Sequence, residues 1–205
     1  MVAVEPLEQD FAADERRFAL YGVPWWTYVA LRDALDDRAG VKMTYLAGAL
    51  ELISPSTLHE EAKKIIARLL ETWALEHNVD VWGYGGATFR REAKERGLEP
   101  DECYTLRRLE EDGVPDIAIE VVVTSPLVDK MAVYAGLSVP EVWEWRPTTK
   151  RIAVHRLVGD RYEVGERSGL LPGVDLVDLA SFVRLGVSLT QLAREYQAQL
   201  RARPA

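Results

Sequence analysis

Glu120 lies inside the run Ile117-Ala118-Ile119-Glu120-Val121-Val122-Val123, where an ionised carboxylate without a partner would cost several kcal/mol. Either one face of that strand reaches solvent, or a neighbouring arginine pairs with it, or it is there to hold a cation. Strand alternation puts Asp116, Ala118, Glu120, Val122 and Thr124 on one face, but Asp116 and Glu120 are separated by roughly 13 Å at strand rise and cannot share one ion. A second carboxylate must come from an adjacent strand. Asp101 is the natural supplier, since a hairpin through the Asp112-Gly113 turn can bring it beside Glu120. As an Asp following Pro100, it also suits a turn or cap. Lys130 follows Ser125-Pro126, read as a helix start, and shares a helical face with Tyr134 four residues on. That places an ammonium near the end of the strand, although lysines at such positions are ordinarily just solvated. Two adjacent carboxylates are the minimum protein contribution to a site for a hard divalent cation.

These side chains need a sheet and helices to position them. Ile117 to Thr124 is nearly continuous in β-branched residues, as expected for a central strand covered on both faces. Val41 to Ile53 reads as two short strands joined near Ala47-Gly48, and Ser54-Pro55-Ser56 is a break. Ala62, Ile65, Ile66, Leu69, Leu70 and Trp73 recur at helical spacing and predict a long helix over 58–77. Trp25, Trp26, Val29 and Leu35 suit an amphipathic helix with Pro24 in its first turn. Further strands are predicted over 81–91, with Gly83, Gly85 and Gly86 marking a bulge, over 101–106 and over 140–145. A hairpin is expected over 151–164 turning at Gly159-Asp160, and a terminal helix over 186–203. Trp143 and Trp145 alternate with Glu144, which suits either a core strand or a self-association surface. The expected organisation is a single α/β domain over 1–205, with a loosely held arm over 1–20 and a core over 41–165.

The chain has 205 residues and one cysteine, Cys103, so it can form neither an internal disulfide nor a thiolate zinc cage. That suits a reducing cytoplasm. No stretch approaches the roughly 18 apolar residues of a membrane span, and the acidic start carries no secretion signal. The net charge of -8 argues against a broad electrostatic footprint for nucleic acid. Basic residues nevertheless gather at Arg90, Arg91, Lys94 and Arg96, at Arg107 and Arg108, and at Arg146, Lys150 and Arg151. Each group reads either as a solvated flank or as a local binding surface.

Taken together, Gly48-Ala49-Leu50-Glu51-Leu52-Ile53-Ser54-Pro55-Ser56 followed by His59, Arg96-Gly97-Leu98-Glu99-Pro100-Asp101-Glu102-Cys103-Tyr104, Pro115-Asp116-Ile117-Ala118-Ile119-Glu120-Val121, Thr124-Ser125, Lys130 with Tyr134, and Val139-Pro140-Glu141-Val142-Trp143 resemble the bacterial family called Uma-two. That is a family of restriction endonucleases in the PD-(D/E)XK nuclease superfamily. The resemblance implies a restriction-endonuclease-like mixed β-sheet flanked by helices, with an N-terminal helical and hairpin extension. It further implies a metal-dependent endonuclease using Mg²⁺ or Mn²⁺, acting on nucleic acid, DNA foremost, as a homodimer. Asp101 matches the PD aspartate, Glu120 the second acid and Lys130 the lysine, here displaced from strand to helix because Val122 stands two residues after the acid. The family's Asp-Gly-Glu-Leu reads Ala47-Gly48-Ala49-Leu50 here, which removes two carboxylates. Glu51, His59, Glu60 and Tyr134 are further candidates. The alternative is a non-catalytic dimeric or scaffold module that keeps the fold, with Glu120 neutralised by Lys130 or an arginine.

Overall fold

The computed structural model describes residues 14–35, 40–111 and 113–202. In chain order the elements are β1 (Arg16–Leu20), α1 (Trp25–Leu35), β2 (Lys42–Leu46), β3 (Ala49–Ser54), α2 (Thr57–Glu76), β4 (Trp82–Gly83), β5 (Phe89–Arg91), β6 (Arg96–Leu98), β7 (Glu102–Thr105), β8 (Ile117–Val121), α3 (Lys130–Leu137), β9 (Glu141–Arg146), β10 (Arg151–Val158), β11 (Arg161–Gly165), α4 (Leu176–Ser181) and α5 (Leu189–Ala202). The strands form two sheets, ordered β1-β3-β2-β6-β5 and β11-β10-β9-β8-β7-β4. The architecture is mixed α/β, with helices flanking both sheets.

β8 sits in the interior of the second sheet, antiparallel to β7 and parallel to β9. A parallel neighbour requires a crossover connection, and α3 supplies it. Ile117, Ile119 and Val121 point from β8 into the larger core with Ile65, Leu69 and Trp73 of α2. Ala118 points the other way, among Val133, Tyr134 and Leu137 of α3 and Phe89 and Leu98 of the first sheet. α3 is therefore packed between the sheets, and α1 closes the far side of the first sheet over Met43, Tyr45 and Leu50. Strand alternation then turns Lys42 and Thr44 of β2, and Glu51 of β3, inward toward α3 and β8.

Several details depart from the sequence expectations. The segment Arg16–Leu20 of the expected arm is β1, paired along its length with β3, because Arg17 carries an inward charge that finds Glu51. The remainder of that arm to residue 13 lies outside the described residues, as does Asp112 of the expected turn. The helix expected to open at Ser125-Pro126 begins at Lys130, with the Asp129 side chain capping the Ala132 amide at 3.0 Å. The intervening amides of Leu127 and Val128 are drawn to Glu51 instead. Trp143 and Trp145 are both buried in the larger core, which leaves neither for a self-association surface. The two-residue β4 and the short β5 divide the single strand expected over 81–91, with Gly85 at φ 57° between them.

Candidate functional site

Asp101 precedes β7 by one residue, and its amide donates to the Ile119 carbonyl at 3.2 Å. This continues the pairing of Glu102 with Ile119 and sets Asp101 across from Glu120 on the same face of the sheet. Both carboxylates are 1 % exposed. Burial on this scale requires partners, and each of the four oxygens has one. Glu120 Oε2 accepts from Lys130 Nζ at 2.7 Å, and its Oε1 accepts from the Tyr134 hydroxyl. Asp101 Oδ2 accepts the Val121 amide at 2.7 Å, while its Oδ1 meets Lys42 Nζ and, at 2.9 Å, His59 Nε2. The structure thus gathers Asp101, Glu120, Lys130, Tyr134 and His59 at one spot. Lys130 and Tyr134 reach Glu120 from consecutive turns of α3, as their spacing requires.

Around this centre runs a second ring of ion pairs. His59 Nδ1 lies 3.1 Å from Glu15 Oε2. Glu15 also meets Arg17 at 3.1 Å and accepts from the Thr124 amide at 3.2 Å. Arg17 Nη1 donates to Glu51 at 2.7 Å and its Nε to Thr124 Oγ1 at 2.6 Å. Glu51 is fully occupied by Arg17 and the two loop amides, so it fixes the strand β3 to the loop before α3. Glu60 is half-exposed and pairs with Lys63 at 2.6 Å, apart from the carboxylate pair. Lys42, Glu15 and Arg17 are not among the residues the sequence singles out, and Thr124 is there only as a face residue and a landmark. Lys42 and Arg17 signal themselves as charges on the inward face of a strand, legible once the strand order is known, and Glu15 lies one residue before β1.

The charges set the protonation states. Burial alone would push His59 down, but its hydrogen bonds to Asp101 and Glu15 outweigh this and hold its pKa at about 9. Burial would raise Asp101, yet Lys42 and His59 hold it well below the usual carboxylate range. Glu15 falls to about 2, its burial overcome by His59, Thr124 and Arg17. Burial and the adjacent Glu120 carboxylate keep Tyr134 a phenol, well above its ordinary range.

Two carboxylates on one sheet face are hard oxygen donors, chemically suited to Mg²⁺ or Mn²⁺. Among the described residues no set of three His, Cys, Asp and Glu side chains is grouped to hold a metal. Asp101 and Glu120 alone are too few donors for an all-protein cage. Lys42 already places a positive charge against Asp101, and beside it a cleft of about 820 Å³ opens past Glu60, Lys63 and Gly86.

A family model described as "Uma2: Putative restriction endonuclease" matches residues 25–192. No curated protein matches the chain. Among solved structures, the chain is similar to a crystal structure described as a putative nuclease belonging to DUF820 from Anabaena variabilis ATCC 29413. The two share 17 % identity and a TM-score of 0.44, over 76 % of this chain and 90 % of that one.

Proposed function

Because the chain belongs to the Uma2 family, we propose that it is a metal-dependent endonuclease hydrolysing phosphodiester bonds, with its site at Asp101, Glu120 and Lys130. The observation that carries this reading is the pairing of Asp101 and Glu120 on adjacent strands with Lys130 Nζ 2.7 Å from Glu120. Asp101 and Glu120 would hold the ion, which when bound offsets the charge that builds on a scissile phosphate and acidifies an attacking water. Lys130, anchored on Glu120, would stabilise developing negative charge. Tyr134 holds the other oxygen of Glu120 and so fixes the carboxylate's orientation. His59 does the same for Asp101 while Glu15 steadies the far side of its ring. DNA is the proposed substrate, with the protein acting as a homodimer in the cytoplasm; no helix among the described residues is long and apolar enough to cross a membrane.

One observation favours a second reading, a non-catalytic module retaining the fold. Every oxygen of Asp101 and Glu120 already has a protein partner, and Lys42, Lys130 and His59 neutralise them without a metal. Nicking of supercoiled plasmid with Mg²⁺ or Mn²⁺ separates the two. The endonuclease predicts cleavage by the wild type and a loss of about 100-fold or more in Asp101→Asn and Glu120→Gln. No cleavage together with no Mn²⁺ binding by calorimetry would establish the module instead.

A further inference from the structure

The basic cluster at Arg91, Arg107 and Arg108 plays no part in the site above, yet its charges are unbalanced in a protein of net charge -8. Elsewhere cations have found acids: Arg90 pairs with Asp33, Arg32 with Glu99, and Lys63 with Glu60. Among the described residues no carboxylate pairs with Arg91, Arg107 or Arg108. Arg91 of β5 also stands directly opposite Arg96 of β6, a like-charge cross-strand pair that disfavours the strands unless something anionic lies near.

These arginines line depressions that share lining residues with one another and with the cleft beside Lys42. The cleft beside Lys42 and Lys63 is bounded by Ala87 and Thr88. The same two residues begin the next depression, which runs over Arg90 and Arg91 to Leu109 and Val114. Arg91, Leu109 and Val114 then bound a third, whose wall carries Arg107, Arg108 and Asp116. Gly113 also lines it, and a Cβ there would come within 2.8 Å of the Leu109 side chain. Glu110 and Glu111 also border these depressions, and neither is paired with an arginine among the described residues. The far end of these depressions, at Asp116, lies roughly 13 Å along β8 from Glu120, about four base steps at ~3.4 Å each.

We infer that this series of depressions, from Lys42 to Arg107 and Arg108, is a backbone-binding track that holds a nucleic-acid strand by its phosphates beyond the Asp101–Glu120 site. The inference rests on the endonuclease reading and adds where the strand lies. Unpaired guanidiniums without base-reading partners give affinity without sequence preference. The test is fluorescence anisotropy of the full chain in EDTA against a labelled single-stranded DNA, its duplex and the RNA of the same sequence. Arg107→Ala/Arg108→Ala should weaken whichever strand binds by about 10-fold or more at low salt, and lower the slope of log Kd against log salt concentration by about 1 to 2. Arg107→Lys/Arg108→Lys should retain most of the affinity, and Arg161→Ala, at the exposed start of β11, should match the wild type. Wild-type binding that the alanine pair leaves unchanged overturns the track while the endonuclease reading stands. Absence of binding by the wild type to all three also overturns the track, while the endonuclease reading is decided separately by the plasmid assay with Mg²⁺ or Mn²⁺.

Discussion

His59 is charged because a carboxylate faces each of its ring nitrogens, and this couples the site to pH. Its pKa rises from 6.5 to about 9 on folding, so the stability it contributes is fully present below about pH 6.5 and is lost as pH climbs through 9. Glu15, lowered from 4.5 to about 2, contributes stability above about pH 4.5 that is lost as pH falls toward 2. The melting temperature should therefore decline from pH 6.5 to 9, and His59→Gln should flatten that decline in a series of thermal melts. Lys130 offers a second check. Lys130→Met leaves the buried Glu120 carboxylate with only Tyr134, at a cost of about 3 kcal/mol in urea unfolding. Adding Glu120→Gln to that variant should restore part of the loss, whereas full additivity would mean the pair is not coupled. Glu120 was legible in the sequence because a charge in a β-branched run demands a partner. Asp101 followed from the strand geometry that had to supply one. Lys42, Glu15 and Arg17 were not legible, since their partners Asp101, His59 and Glu51 lie on other elements and no local spacing encodes that arrangement.

At the level of elements, the long helix, the β2–β3 hairpin, the central strand β8 and the β10–β11 hairpin were all readable from periodicity and turn residues. Short β1, β6 and α4 were not, being too brief for a period to emerge. β6 depends on one residue. Gly97 faces Tyr28 so closely that a Cβ would lie 2.3 Å from its hydroxyl, and Tyr28 is itself stacked on Tyr45 with ring centroids 4.9 Å apart. Gly97→Ala should destabilise the protein by about 1 to 3 kcal/mol in chemical denaturation, with partial rescue by Tyr28→Phe. β9 carries a comparable anchor in Glu141. Its buried carboxylate accepts the Trp143 indole at 2.9 Å, Ser168 Oγ at 2.7 Å and the Gly169 amide at 2.6 Å. Those bonds fasten the loop after β11 against the sheet. Glu141→Ala should speed amide exchange across residues 166–172 more than in β8, and uniform exchange across both would show the anchor is not local.

Across the whole molecule, the two sheets share α3, the apolar layer around it and the ion pair of Lys42 of β2 with Asp101 beside β7. The single domain expected from the sequence predicts that amides of β2–β3 and β8–β9 lose protection together under denaturant. Separate transitions would instead divide the chain into two folding units. The ion-pair ring has a practical side as well. Glu15 and Arg17 stand upstream of residues 25–192, the span that the family model matches, yet they hold His59 and Glu51. Recombinant versions trimmed to the matched span would shed two of the charges that keep this catalytic candidate in register. A negative nuclease assay on such a fragment would then report on where the scissors fell, not on what the full chain does.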